Sequence, residues 1–189
     1  MKRKILKRFM CLTLALLLII VPVSNTYAAS YTMNITKYAQ ERTKWCWAAC
    51  AKMIGAYYGR IYSQSSICTH VKGSVVNQTA TIGEVTSAIR YTSNRGTQAG
   101  VASLAAFIIE AMNSRPAALR MGWSSSNYKE GHVYVVRGAR ESTGSVAGGL
   151  YLIDPIAGVA NAFYRYSSLV NGTTLPSGTG RYTHTWWTF

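Results

Sequence analysis

The 189 residues contain 20 Lys and Arg against six Asp and Glu, a formal net charge of +14, and 49% of them are apolar. Five of the cations fall in the first 28 residues and every acid lies after them, so the remaining 161 residues carry about +9 and are drawn to anionic surfaces. The basic residues from Lys37 to Arg181 form no dense run and no nucleic-acid motif, which argues against a nucleic-acid partner and for cell-wall polyanions or acidic membrane surfaces; the length suits one domain with a real core and is short for two.

Residues 1–28 read as an export signal: a basic start with Lys2, Arg3, Lys4, Lys7 and Arg8, an apolar stretch over 12–23, and small residues before a cleavage site after Ala28. The apolar stretch falls short of the ~20 residues that span a bilayer. The expected product is therefore a secreted, soluble, monomeric domain over residues 29–189. Residues 29–38 alternate weakly and predict a short strand or extended lead-in. Ala49, Met53, Ile54 and Tyr57 recur at helical spacing over 46–58, and Gly59 supplies the stop. Further helices are predicted over 64–71, over 82–91 with Thr81 and Glu84 in capping-box spacing, and over 101–113 with Leu104, Phe107, Ile108 and Met112 on one stripe. After Pro116 the pattern changes to alternation rich in Val, Tyr and Trp, which predicts strands over 116–123, 131–137, 150–153, 160–166 and 181–189, with turns over 142–149 and 172–180. The expected fold class is α+β, a helical N-terminal half and an antiparallel C-terminal half with a cleft between them.

Beyond residue 28 the chain keeps three cysteines, Cys46, Cys50 and Cys68, and an exported protein meets an oxidising environment. An odd number leaves one thiol over, either for an intermolecular bridge or as a reactive group. Metal binding is disfavoured, because there is no Cys-x-x-Cys pair and the three histidines are far apart. Cys46 opens the predicted helix, where the positive end of the dipole lowers a thiol pKa from its usual value of about 8.5 and favours the thiolate nucleophile. The plainer alternative is a small buried residue between Trp45 and Trp47. Gln40, six residues upstream, offers a side-chain NH2 to a developing oxyanion alongside the backbone N–H of Cys46.

His132 begins an alternating strand just after Gly131, which offers a seat for a base; His184 sits in a strand of alternating Thr and Trp, and His70 at a polar helix end. Asp154 is the sole aspartate and ends an apolar strand before Pro155. It reads either as a strand-ending turn residue or as the acceptor that fixes the tautomer and orientation of His132.

The segments QERTKWCWAAC, RPAALRMGW, GHVYVVRG and YLIDP, in this order, resemble the papain-like cysteine peptidases, in particular a compact bacterial secreted branch similar to plant-pathogen effector proteases and double-glycine leader peptidases. The resemblance covers about residues 37–157. It implies a two-lobe papain-like fold, Cys46 as nucleophile, His132 as general base and acid, Asp154 as orienter, Gln40 as oxyanion donor, a thioester acyl-enzyme, a peptide or protein substrate and no cofactor. The chain departs from plant-type papains in three ways. His132 follows Cys46 by only 86 residues, Thr43 stands where the papain fingerprint has a cysteine, and 17 residues separate Ala29 from Cys46, too few for a large inhibitory prosegment. Cys50 is expected to bridge to Cys68, since a Cys46–Cys50 bond along one helix would be strained. Two other readings keep the same residues: transfer of the acyl group to an amine, as in a transpeptidase or transglutaminase-like enzyme, and a catalytically silent basic surface-binding or toxin-like module.

Overall fold

Eight of the twelve residues in the helix that opens at Cys46 are buried, and the rest of the chain is arranged to cover it. The computed structural model describes residues 27–189, so the expected export signal lies outside the described residues except for its last two positions. In chain order the elements are β1 (Ser30–Thr32), α1 (Cys46–Tyr57), α2 (Gln64–Lys72), α3 (Ile82–Ser93), β2 (Thr97–Ala99), α4 (Leu104–Met112), β3 (Ala117–Trp123), a 3-10 turn (Ser124–Ser126), β4 (Gly131–Arg140), β5 (Gly149–Ile153), β6 (Ala162–Arg165), α5 (Tyr166–Asn171), β7 (Thr173–Leu175) and β8 (Gly178–Trp187). Helices precede the main sheet, as expected for an α+β chain.

The helix starts follow local chemistry. Ser63 accepts from Ser66 N–H, Ser103 from Ala106 N–H, and Thr81 and Glu84 form a complete reciprocal capping box. The fourth predicted helix begins at Leu104, the first residue of its apolar stripe and later than the expected 101, because Ser103 caps it there. No side chain caps α1 at Trp45, which leaves the Cys46 N–H without a side-chain acceptor.

All strand pairs are antiparallel, in the order β2-β8-β3-β4-β5-β6, with β1 added to β4 and β7 to β8. The sheet therefore recruits two short strands, β1 and β2, from outside the C-terminal half. The turn expected over 172–180 is instead the hairpin of β7 and β8, preceded by the short helix α5.

Helix α1 packs on β4 and lies against α3. Its buried residues run Trp47, Ala48, Ala49, Cys50, Ala51, then Met53, Ile54 and Gly55, so it is a core helix and not an amphipathic one. Small residues permit the close packing: a Cβ on Gly55 would stand 2.8 Å from Thr92 Cβ on α3. Trp45, Trp47, Trp186, Tyr134 and Tyr182 fill the remaining core. Among the described residues no helix is long and apolar enough to cross a membrane.

The expected Cys50–Cys68 bridge is not formed: Cys46, Cys50 and Cys68 are all free thiols. The reason is orientation. Cys50 Sγ donates to the Val133 carbonyl of β4 at 3.2 Å, whereas Cys68 Sγ faces the carbonyls of Ser74 and Val76, each 3.4 Å away. Each thiol has its own acceptor in a separate part of the core, and both are fully buried.

Candidate active site

Two indoles set the start of α1. Trp45 Nε1 donates to Val76 O at 2.7 Å and Trp47 Nε1 to Gln78 O at 3.1 Å, so the loop over residues 76–78 grips the residues on both sides of Cys46. Cys46 is the first helical residue and stays partly exposed while its neighbours are buried. The main-chain N–H groups of Trp47 and Val133 donate toward its sulfur.

Strand β4 delivers His132 opposite Met121 of β3, and β5 ends at Ile153, which presents Asp154. His132 Nε2 and Asp154 Oδ1 are 2.9 Å apart, and both side chains are buried. With Nε2 so engaged, Nδ1 is the ring nitrogen left for the hydrogen bond that joins His132 to Cys46. The Tyr134 ring meets the imidazole edge-on at 4.8 Å, and the Trp123 ring lies nearly parallel to it at 6.3 Å. Asp154 Oδ1 also accepts from the N–H of Ile156 at 2.9 Å. The two sequence readings of Asp154 thus coexist, since one carboxylate oxygen closes the Asp-Pro turn and holds the histidine.

The three groups set one another's charge. Burial pushes the Cys46 thiol up, but the hydrogen bond and positive charge of His132 outweigh it and hold the thiol below its ordinary value. For His132 burial pushes down, and the bond to Asp154, followed by that to Cys46, overcomes it and raises the imidazole to about 9. Asp154 is pushed up by burial and pulled below the usual carboxylate range mainly by the His132 hydrogen bond and charge. At neutral pH His132 is therefore imidazolium and Asp154 carboxylate, and both the bond and the charge of His132 favour the thiolate form of Cys46. Cys50, one turn along, is pushed well up by burial and by the charges of Cys46 and Asp154, and remains a thiol.

Gln40 stands on the loop before α1. Its Nε2 donates to Arg42 O at 3.1 Å and Thr43 O at 3.0 Å, which occupies both amide hydrogens, and its Oε1 is buried without a partner. The other histidines lie elsewhere: His70 stacks on Tyr91 at 3.9 Å, and His184 sits on β8 opposite Arg120 with its Nδ1 unpartnered. Among the described residues no group of three His, Cys, Asp or Glu is placed to hold a metal ion.

Three supporting residues were not singled out from the sequence. Gln64, fully buried, donates to Ala39 O at 2.7 Å and accepts from Glu41 N–H at 3.0 Å, bracketing Gln40 on both sides. Ser177 bonds to the hydroxyl of Tyr134 and lies beside Asp154, adding to the lowering of its pKa. Nothing in the local pattern around either position signals this, since each acts across more than 20 residues of chain. Arg120 is buried on β3 beside the same cleft, and an Arg in a strand that otherwise reads as core was the available signal.

The sequence pattern of the papain-like cysteine protease AvrRpt2 family matches residues 27–169. No curated protein matches the chain. Among solved structures, the peptidase domain of Streptococcus ComA, a bi-functional ABC transporter involved in a quorum-sensing pathway, superposes with a TM-score of 0.52 at 15% identity over 80% of this chain and 97% of that one. A putative C39-like peptidase from Bacillus anthracis gives 0.56 at 9% identity over 85% and 98%. At these identities the likeness is one of fold.

Proposed function

Because the chain belongs to the papain-like cysteine protease AvrRpt2 family, and so is a cysteine peptidase of papain-like fold, we propose that it is an exported enzyme that cleaves peptide bonds through Cys46, His132 and Asp154. The observation that carries the reading is the position of His132, hydrogen-bonded to Cys46 on one side and 2.9 Å from Asp154 on the other.

In the proposed cycle the Cys46 thiolate attacks the scissile carbonyl carbon and the carbonyl π electrons move to oxygen. Collapse of the tetrahedral oxyanion expels the amine, which takes its proton from imidazolium His132, and leaves a thioester on Cys46. His132, now neutral, removes a proton from water as it adds to the thioester. The second collapse releases the acid and restores the thiolate–imidazolium pair. Asp154 holds the ring and its tautomer throughout.

The oxyanion forms beside the uncapped start of α1, where the Cys46 N–H is available, and Gln40 is the proposed second donor. To donate, its amide must exchange one of its bonds to Arg42 or Thr43 for the oxyanion. Such donors are worth about 2.7 to 4 kcal/mol of barrier.

The signal-like residues 1–28 support export, with cleavage after Ala28. Intact mass of the protein in culture medium tests this, and a chain retaining residues 1–28 in the cell pellet would overturn it. For the chemistry, Cys46→Ala should abolish cleavage of a peptide library while the thermal melt stays within a few degrees of wild type. Turnover within about tenfold of wild type would overturn the mechanism, since loss of a nucleophile removes several orders of magnitude.

A further inference from the structure

A cavity of about 340 Å³ opens directly beside Cys46. Trp47, Val85 and Trp123 give it apolar walls, while its charged lining consists of Lys44, Arg120, Lys129 and the carboxylate of Glu130. Lys44, Lys129 and Glu130 are exposed; Arg120 is 9% exposed, so it is the one buried charge in the lining.

The guanidinium of Arg120 has a built seat. Gly122 and Gly131 face each other across the β3–β4 ladder. A Cβ on Gly131 would stand 3.0 Å from Arg120 Cζ and 3.1 Å from Nε, and one on Gly122 would stand 3.0 Å from Nη1, so the absence of both side chains makes the space that the guanidinium fills. Nη1 donates to Thr183 Oγ1 at 3.0 Å, and Nη2 to the carbonyls of Tyr128 at 3.1 Å and Lys129 at 3.0 Å. Three of five N–H groups are thereby used, and two have no acceptor among the described residues.

No carboxylate pairs with it. Glu130 lines the same cavity, yet forms no ion pair with Arg120 among the described residues. A buried cation held only by neutral acceptors is costly, and a ligand that brings a carboxylate offsets that cost. Arg120 and Cys46 also feel each other: burial lowers the guanidinium, and the thiolate charge pushes it back up. The cation therefore lies within electrostatic reach of the reacting sulfur.

We propose that this cavity is a substrate subsite for a carboxylate, with Arg120 as the residue that recognises it, so that the enzyme prefers an Asp or Glu side chain close to the bond it cleaves. The apolar walls take the methylene stem and the guanidinium takes the charged end. The exposed lysines steer acidic substrates to the cleft and contribute less, since solvent and salt screen them. The proposal rests on Cys46 being the peptidase nucleophile.

The test uses two peptide sets on the full mature chain. In the first, C-terminally amidated peptides carry Glu, Gln, Leu or Lys at each position flanking the cleaved bond; in the second, all side chains are neutral and a free C-terminal carboxylate is placed at successive distances from it. The expected result is one position in the first set where Glu exceeds Gln in kcat/KM by roughly 10- to 100-fold, as removal of a carboxylate from a buried charged pair does elsewhere. Arg120→Met should abolish that ratio and Arg120→Lys should keep part of it, the ratio being read on each variant independently of any change in its overall rate. If Arg120→Met does not fold, peptide aldehydes bearing Glu or Gln at that position give the same ratio on the wild-type enzyme as inhibition constants. Cysteine-dependent cleavage with no position favouring Glu over Gln by more than about threefold overturns the subsite and leaves the peptidase reading intact. A preference confined to the second set would assign the cavity to a chain terminus and overturn the side-chain assignment. Absence of any Cys46-dependent cleavage in either set would overturn the peptidase mechanism and this inference with it.

Discussion

The main-chain N–H of Gln40 donates to the carbonyl of Pro155 at 2.7 Å, which joins the loop that carries the amide to the turn that carries Asp154. Lys37 strengthens the same seam, its Nζ donating to Ile156 O at 2.8 Å and also to Val159 O. The lead-in to α1 is thus a strap across the two sides of the cleft. Catalytic geometry tolerates little displacement, so the strap has functional weight beyond its stability.

Gln64 is where that strap is most exposed to mutation. Gln64→Ala removes the partner of Ala39 O and Glu41 N–H, two part-buried hydrogen bonds each worth about 0.5–1.5 kcal/mol. Urea unfolding should show a loss in that range, and kcat should fall while KM changes little, since Gln40 is displaced and the pocket is not. A variant with wild-type kcat would separate the strap from the chemistry.

The pH dependence follows from the shifted groups. His132 holds the Cys46 thiol below its ordinary value, and imidazolium His132 persists up to about pH 9. kcat/KM should therefore fall on an alkaline limb near 9. Asp154→Asn removes the main contact that raises His132, so the alkaline limb should move to lower pH along with a loss of rate. The stability linkage has the same direction: the raised His132 contributes stability that is complete below its unfolded value of about 6.5 and is lost as pH rises through about 9. An alkaline limb that stays in place in Asp154→Asn would uncouple the two residues.

Much of this site was legible because its parts sit at element boundaries that local residues mark. Cys46 opens a helix, His132 follows the glycine that begins a strand, and Asp154 ends an apolar run at a proline. The extent of the helices followed from caps such as Thr81 with Glu84. What local pattern could not supply was pairing across distance. The short strand expected within 29–38 is β1, but nothing local announced its partner, β4 at residues 138–140, and β2, where Thr97–Ala99 meets β8, was not expected at all. The disulfide expectation failed for a related reason, because parity counts thiols without their directions, and Cys50 and Cys68 turn to different carbonyls. Gln40 was placed correctly before the helix, but its present bonds to Arg42 and Thr43 depend on a loop conformation that spacing does not encode.

Free thiols give a direct measurement. In the chain from residue 29, iodoacetamide under native conditions should label Cys46 alone, because Cys50 and Cys68 are fully buried and Cys50 is held as the thiol. Without reductant in denaturant, all three should label. A linked Cys50/Cys68 peptide in the mass map would overturn the free-thiol arrangement.

The last test concerns the far side of Asp154. The Tyr134 hydroxyl bonds to Ser177 Oγ, and Ser177 stands beside the carboxylate, whose Oδ2 is buried with no hydrogen-bond partner among the described residues. Burial pushes the Tyr134 phenol far above its ordinary value, so it remains an O–H throughout the working pH range. Tyr134 and Ser177 therefore form one short polar chain behind the carboxylate, and their effects should be those of a unit. Tyr134→Phe keeps the ring that meets His132 edge-on and removes only the hydroxyl. Each of Tyr134→Phe and Ser177→Ala should cost about 1 kcal/mol in kcat/KM, and the double variant little more than either alone, because contacting residues in one network are not additive. A purely structural role would lower the melting temperature in all three variants while leaving their pH profiles superimposable. A role in holding Asp154 requires the alkaline limb to shift in the same direction as in Asp154→Asn, and strictly additive losses with an unmoved limb would remove Tyr134 and Ser177 from the support of the site.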